Sequence, residues 1–336
     1  LSSAAYINIF HRFSHRFQSE AGLRYTYSDV RGEYPDSMNR PIANIEGLSL
    51  TAKNRIVSGN VKFIYYPNDQ WKLSSVTSRG FHSPNVDDML KVFKKGNIVT
   101  IPNVELIPEK SISQEISVSK KIKNDFNIYG LAFYTSLTNA IVKDSIYWNM
   151  NPDPMGEPIL ANATYYDGEL LPTFANQNIS DKLNIYGLTA GFKGNLMGYN
   201  LNGDLNIIKG KNYADNAGPV AHIPPFFGRL EVTRDWKNFK ARLLTIYSGH
   251  KPSESFDEAG VDNIDETPLI NSGSENSIWH GSPSWFTVNL YLKYSFSENL
   301  NCQLGIENIL DAHYKTFGSG ISASGRKIIY STHFLF

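Results

Sequence analysis

The side chains that could do chemistry in this sequence are scattered along it and not gathered into a motif. Its histidines are His11, His15, His82, His222, His250, His280, His313 and His333. No serine, histidine and carboxylate stand at a spacing that would mark a nucleophile, its base and an orienting partner, so an enzyme is not expected. His82, His222, His250 and His280 fall in long polar connections, where an imidazole could ligate a metal or haem or could simply be solvated. Tyr147, Trp148, Tyr165, Tyr166 and Trp279 fall in the same kind of segment. Their rings could stack on a bound solute or could anchor loop packing.

Residues 254–266 collect Glu254, Asp257, Glu258, Asp262, Asp265 and Glu266, which have the ligand type for Ca²⁺ without the regular spacing of an EF-hand loop. They read as a solvated acidic loop, and neither a metal site nor a cofactor is expected. The single Cys302 allows no internal disulfide and reads as a small apolar residue. With 32 basic and 32 acidic side chains the formal charge is zero, which gives no basis for nucleic-acid binding.

The elements that carry these residues are strands. Phe286, Val288, Leu290, Leu292, Tyr294 and Phe296 alternate with Trp285, Thr287, Asn289, Tyr291, Lys293 and Ser295. The same period of two recurs in Leu300, Cys302, Leu304 and Ile306, and again in the terminal run Ile328, Tyr330, Thr332, Phe334, Phe336. Alternation predicts about thirteen strands and no helix, at 4–12, 17–29, 54–66, 71–79, 111–121, 125–142, 183–195, 198–208, 225–235, 238–249, 284–296, 299–310 and 327–336.

Alternation would also suit a soluble sandwich, and the connections separate the two. Short turns at 13–17, 67–70, 123–124, 196–197, 236–237 and 297–298 alternate strictly with long connections at about 30–53, 80–110, 143–182, 209–224, 250–283 and 311–326. Tight turns on one rim and long loops on the other are the habit of outer-membrane barrels. Composition agrees: 19 Tyr, 19 Phe and 5 Trp accompany a negative mean hydropathy, as when only alternate residues touch lipid and aromatics gather at its interfaces. No run reaches the ~18 apolar residues of a membrane helix.

This reading places residue 336 on the short-turn, periplasmic rim. It also makes the first strand a descending one, so thirteen strands would not close as an up-and-down barrel. Further strands are expected before Leu1, and the absence of an initiator Met or hydrophobic leader leads to the expectation of a processed or truncated chain.

Gly305-Ile306-Glu307-Asn308-Ile309-Leu310-Asp311-Ala312-His313-Tyr314, then Gly320 to Gly325-Arg326 and a terminal Phe336, resembles the C-terminal signature of TonB-dependent outer-membrane receptors, of a Bacteroidetes-like type. That signature is a Glu-Asn-Leu-Phe-Asp-x-x-Tyr run, a Pro-Gly-Arg turn and a last strand ending in Phe or Trp. Here Ile309-Leu310 replaces Leu-Phe, and Ser324 replaces the proline. Gly80-Phe81-His82-Ser83-Pro84, with Asp87 or Asp88 after it, resembles the family's Gly-Phe-Arg-Ala-Pro segment. Ile101-Pro102-Asn103-Val104-Glu105-Leu106-Ile107-Pro108-Glu109 resembles its Asn-Pro-x-Leu-x-Pro-Glu segment.

The resemblance covers the whole chain. It implies that residues 1–336 are the C-terminal portion of a plugged barrel of roughly 22 strands, with the plug domain and first barrel strands outside this sequence. It further implies a bacterial outer-membrane active-transport receptor whose outer loops bind a scarce bulky solute. An iron chelate such as a siderophore is the leading substrate class, with haem, cobalamin and oligosaccharide behind it. Haem-importing relatives tend to carry a histidine between the two loop motifs. None lies between Ser83 and Pro102, so His82 is the substitute. The implied partners are the TonB complex, reached through a segment before this sequence, the receptor's own plug, membrane lipid, the solute, and in some branches a surface lipoprotein. The alternative reading from the strands alone is a passive or structural barrel.

Overall fold

A computed structural model of the chain describes residues 1–34, 42, 48–123, 125–150, 159–213, 218–257, 260–273 and 277–335. Within them the alternating segments form β1 (Ser2–Arg12), β2 (Phe17–Glu33), β3 (Ser49–Tyr65), β4 (Trp71–His82), β5 (Glu109–Lys123), β6 (Phe126–Thr138), β7 (Leu183–Leu196), β8 (Tyr199–Asn212), β9 (Phe227–Trp236), β10 (Phe239–Ser248), β11 (Trp285–Ser295), β12 (Leu300–Glu307) and β13 (Lys327–Phe334). Each pairs with its neighbours in the chain, and all thirteen lie in one sheet in consecutive order. The pairings are antiparallel throughout. β1 and β13 each have a single neighbour in the sheet, which is therefore open. Phe336 lies outside the described residues.

Register pairs share a face, so they show where each side chain points. Ile116, Ala132, Leu188 and Ile207 stand side by side across β5 to β8. Thr245, Val288 and then Leu243, Leu290, Ile306, Ile328 continue such rows across β10 to β13. The resulting apolar band is uncovered: Leu188 is 59% exposed and Leu205 53%. In water such a band would be an aggregation hazard; against acyl chains it faces its own kind. Among the described residues no helix is long and apolar enough to cross a membrane.

The other face is a polar ladder. Thr189 donates to Asn206, Asn206 to Asp204, and Arg229 to Asp204, at 2.7, 2.8 and 2.8 Å. Arg242 lies 2.9 Å from Glu231 and 5.2 Å over the ring of Tyr291. The Tyr291 hydroxyl donates to Glu307 at 3.0 Å, and Lys327 sits 3.1 Å from the same carboxylate. Side chains of β7 to β9 and of β9 to β13 thus pair across neighbouring strands on this face.

The short turns have local causes. The Ser14 hydroxyl accepts from the amides of Arg16 and Phe17, and the Asn68 side chain accepts from those of Gln70 and Trp71. Met197 and Gly198, at φ 53 and 80, close the two-residue hairpin between β7 and β8 with the positive φ values that match strand twist.

Two expectations need correction. The segment 125–142 is not one strand: Asn139 takes φ 55, β6 stops at Thr138, and Ile141–Ser145 turns away to pair with Glu169–Asn178. A helix does occur, the single turn α1 (Val86–Leu90), nucleated by reciprocal hydrogen bonds between Asn85 and Asp88.

Leu188→Arg in β7, at the middle of the apolar band, should destabilise the folded protein by about 2–4 kcal/mol in lipid. Asn202→Arg on the opposite face of β8 should stay within about 0.5 kcal/mol. Reversible unfolding in phospholipid vesicles measures both.

Candidate functional site: the outer loop canopy

Among the described residues the buried apolar clusters lie chiefly in the loops, with Leu50 of β3 the sheet's contribution. Ile42, Val99, Ile101, Leu171 and Ala175 form one buried cluster, with Tyr34, Trp148 and Tyr166 packed against it. Leu50, Met89, Leu90 and Leu106 form a second. Each buried aliphatic of this size contributes about 1.5–3 kcal/mol, which lets long connections hold a shape. A small sheet organises this first lobe: Ala163–Tyr166, Glu169–Asn178, Ile98–Thr100 and Phe93–Lys95 lie in that order, and Ile141–Ser145 also pairs with Glu169–Asn178.

The motif residues in this lobe work as clasps. Pro84 and Pro102 are buried. The Asn103 amide N–H donates to the Met89 carbonyl, and its side chain donates to the Asn176 carbonyl, both at 2.8 Å. Glu109 accepts from the Ile141 amide at 3.0 Å. Phe81 and Pro108 are half-buried at the ends of β4 and of the loop.

The second lobe joins the connections after β8, β10 and β12, and its centre is Asp262. That carboxylate accepts from the His222 backbone amide at 3.0 Å, lies 3.0 Å from His222 Nδ1, and holds the Lys251 amine at 3.4 Å. Lys251 also donates to the Ile223 carbonyl at 2.7 Å and lies 4.9 and 4.1 Å from the ring centres of Phe256 and Phe317. Burial pushes its ammonium below the ordinary lysine range, with Asp262 and Asp257 pulling the other way. Asp257 accepts from the amides of Val261 and Asp262. The acidic loop is therefore solvated only in part: Asp257 and Asp262 are buried in a folded turn around one lysine, while Glu254, Asp265 and Glu266 are exposed. Glu258 lies outside the described residues.

The closing motif ties β12 to β13. Asn308, buried and at φ 49, receives the Ala312 amide and donates to the carbonyls of Ala312 and Ser324. Asp311, at φ 53, accepts from the Arg326 amide at 2.7 Å, and the Arg326 guanidinium donates to the Ile309 carbonyl. A Cβ on Gly325 would lie 2.8 Å from Asp311 Oδ1, so glycine leaves room for the carboxylate where it bonds Arg326. Tyr314 stacks on Trp285 with ring centres 4.1 Å apart. Glu307 belongs to the wall ladder described above.

Lys95 holds the two lobes together, donating to the Gly260 carbonyl and the Asn263 side chain, both at 2.5 Å. Asn263 in turn donates to Gly318, and Lys315 pairs with Glu266 at 2.8 Å. A cavity of about 280 Å³ opens between these loops, walled by Phe256, Asp262, Glu266, Trp285, Tyr314 and Lys315.

The residues singled out from the sequence divide between the lobes. His222, His250 and His280 share the second. The rings of His250 and His280 lie 4.7 Å apart, and His250 Nε2 is 3.2 Å from the His280 carbonyl. Trp279 is half-buried there, in the small pairing of Leu269–Ile270 with Ile278–Trp279. Trp148 and Tyr166 pack against the first lobe's core, while Tyr147 and Tyr165 stand out, 71% and 53% exposed. His82, at the end of β4, is 3.8 Å from Asp88. Among the described residues no three His, Cys, Asp or Glu side chains gather as a metal site would need. Lys95, Lys251 and Trp285 escaped the sequence reading, since an isolated lysine or one aromatic in an alternating strand carries no local signal.

An apolar-outside, polar-inside antiparallel wall crowned by folded loops defines the class: part of an outer-membrane-type β-barrel. The family comparison narrows it. Residues 2–309 match the model of the TonB-dependent receptor-like β-barrel, and the chain belongs to that family, one of transport receptors and not of enzymes. Among solved structures it is similar to the copper transporter OprC, with TM-score 0.70 and 15% identity over 100% of this chain and 48% of that one. It is similar to a double mutant of the Serratia marcescens hemophore receptor HasR in complex with its hemophore HasA and heme (TM-score 0.65, 15% identity, 100% and 51% covered). It also resembles the siderophore receptor PirA from Acinetobacter baumannii (0.65, 15%, 100% and 46%). At this identity the likeness is one of fold, and the chain spans about half the length of these structures. No curated protein matches it.

Asp262→Ala removes the partner of a buried ammonium and should loosen the second lobe by about 3–5 kcal/mol. Limited proteolysis should then cut within residues 250–283 while the barrel stays resistant; wild-type resistance in that loop would contradict the clasp.

Proposed function

We propose that this chain is the C-terminal portion of an outer-membrane receptor that captures a scarce bulky solute in its loop canopy and imports it with TonB-transmitted energy. The single observation that carries the reading is the match of residues 2–309 to the receptor-barrel family, joined to a sheet whose faces suit lipid on one side and a hydrated or plugged lumen on the other. Both edges of the sheet, β1 and β13, expose a row of peptide groups that hydrocarbon cannot satisfy. Further barrel strands before Leu1 would cover them, and a plug domain would fill the lumen that the polar ladder faces.

The solute would contact the canopy where rings are free and a cavity exists. Tyr147 and Tyr165 are exposed enough to meet it, and the cavity walled by Trp285 and Tyr314 supplies an aromatic surface beside carboxylate and amine groups. His82 in the first lobe and His222, His250, Trp279 and His280 in the second are the further candidates for contact. Trp148 and Tyr166 would support the site from behind. The substrate class is an iron chelate such as a siderophore, which the names of several structural neighbours favour. A surface lipoprotein would sit over the loops if this receptor uses one.

Deleting the gene should abolish energy-dependent accumulation of one radiolabelled iron chelate, and deleting TonB should do the same. Accumulation that persists without TonB would instead mark a passive channel, and no change with any iron chelate, vitamin or glycan would refute the receptor.

A further inference from the structure

The rim that carries the short turns holds a guanidinium on its apolar face. Arg234 lies near the end of β9. Val232, two residues back on the same face, stands beside Leu201 of β8 and Leu243 of β10, in the row that runs on to Leu290. Arg234 itself stands beside Tyr199 and Ala241. Asp235, the next residue, points to the polar face, where it lies 3.3 Å from Lys240 and accepts from Asn200 at 3.4 Å. The carboxylate nearest in sequence therefore serves the other side of the sheet.

The guanidinium is built in by its surroundings. Its carbon lies 4.7 Å from the ring centre of Tyr199 and 5.7 Å from that of Trp236, and Trp236 stacks in turn on Phe239 at 5.6 Å. One Nη donates to the Met197 carbonyl at 2.9 Å. A Cβ on Gly198 would run into the same Nη, so glycine in the turn between β7 and β8 leaves room for the guanidinium where it bonds Met197. Elsewhere on this rim rings stack on one another. Phe13 and Phe63 flank Phe17 at 5.2 and 6.0 Å, and Tyr294 meets Phe296 at 4.7 Å. Lys120 stands 4.8 Å over Trp71, but it brings a point charge and no planar fork. An interface girdle needs only the rings; an arginine clamped between two of them calls for a further reason.

Five N–H donors in a planar fork match the oxygens of a phosphate, and the Met197 carbonyl takes one of the five. Two rings and a carbonyl fix the plane in advance, so little freedom is lost when an oxyanion arrives. The position of the fork says what brings the oxyanion. Arg234 continues a row of residues that suits acyl chains, at the level where Tyr199 and Trp236 meet headgroups. We propose that Arg234, with Tyr199 and Trp236 against it, seats the phosphate of one anionic phospholipid on the short-turn side of the membrane, its acyl chains lying along Leu201, Val232 and Leu243. Lys237, exposed on the turn that follows, adds positive charge to the same hairpin. The seat rests on the barrel wall and not on the solute that the receptor takes.

Native mass spectrometry of the full-length receptor released from detergent tests the seat, with dioleoylphosphatidylglycerol, dioleoylglycerol and soluble glycerol phosphate as probes. Wild type should hold one phosphatidylglycerol about tenfold more tightly than the diacylglycerol. Arg234→Gln should weaken that binding by about tenfold, and Lys240→Gln, on the polar face of the same rim, should leave it within about twofold. Should Arg234→Gln fail to fold, phenylglyoxal modification of the wild-type protein, read by mass spectrometry, replaces it: phosphatidylglycerol should protect Arg234 and not Arg242, which faces Glu231 on the polar side. Equal retention of phosphatidylglycerol and diacylglycerol, undiminished binding by Arg234→Gln, or no protection at Arg234 would each overturn the seat. Glycerol phosphate held as tightly as the lipid would mark a site for free phosphate and overturn the lipid. Cells that accumulate no solute would defeat the receptor reading and leave these lipid results as they are.

Discussion

Inside a bilayer a peptide N–H or C=O has no water to turn to, and an unpaired one costs several kcal/mol. The thirteen-strand ladder is the answer this chain gives, and every other feature follows from it. Antiparallel pairing between consecutive strands satisfies the backbone, strand length spans the hydrocarbon, and a period of two sends alternate side chains to opposite solvents. Such a sheet cannot bury an apolar core, because its apolar side chains already face lipid. The polar ladder from Thr189 to Lys327 takes the place of a core on the other face, and its members bond to one another without relying on apolar packing.

The apolar core moves instead to the canopy, where water returns and the hydrophobic effect acts again. Two clusters, a small sheet and a set of side-chain clasps give the first lobe a defined form. A buried lysine and aspartate do the same for the second. Lys95 joins them. The consequence for function is that the loops present fixed groups to a solute, which lowers the ordering cost of capture.

Much of this was legible in the residues. Strands could be read because lipid exposure enforces strict alternation, as in Phe286 to Tyr294, and the alternation of short and long connections oriented them. The resemblance of Glu307 to Arg326 and of Phe81 to Glu109 to receptor motifs pointed to the family, although the geometry shows Asn103, Glu109, Asn308 and Asp311 tying loops together. What stayed hidden depends on distant pairing. Ile98–Thr100 is a short strand held between Phe93–Lys95 on one side and the distant Thr173 and Phe174 on the other, and residues 125–142 alternate smoothly through a break that Asn139 makes by turning left-handed. Asp262 looked like one of six solvated acids until the fold set Lys251 beside it.

The central claim is that one face of this sheet meets lipid and the other does not. A nitroxide scan of residues 286–294 in the full-length receptor, reconstituted in phospholipid and read for collision with oxygen and with a water-soluble nickel chelate, tests it most directly. Labels at 286, 288, 290, 292 and 294 should show high oxygen and low nickel accessibility, and those at 287, 289, 291 and 293 should lack that lipid signature. Equal accessibility at odd and even positions, or nickel accessibility across the middle of the apolar row, would contradict the barrel wall.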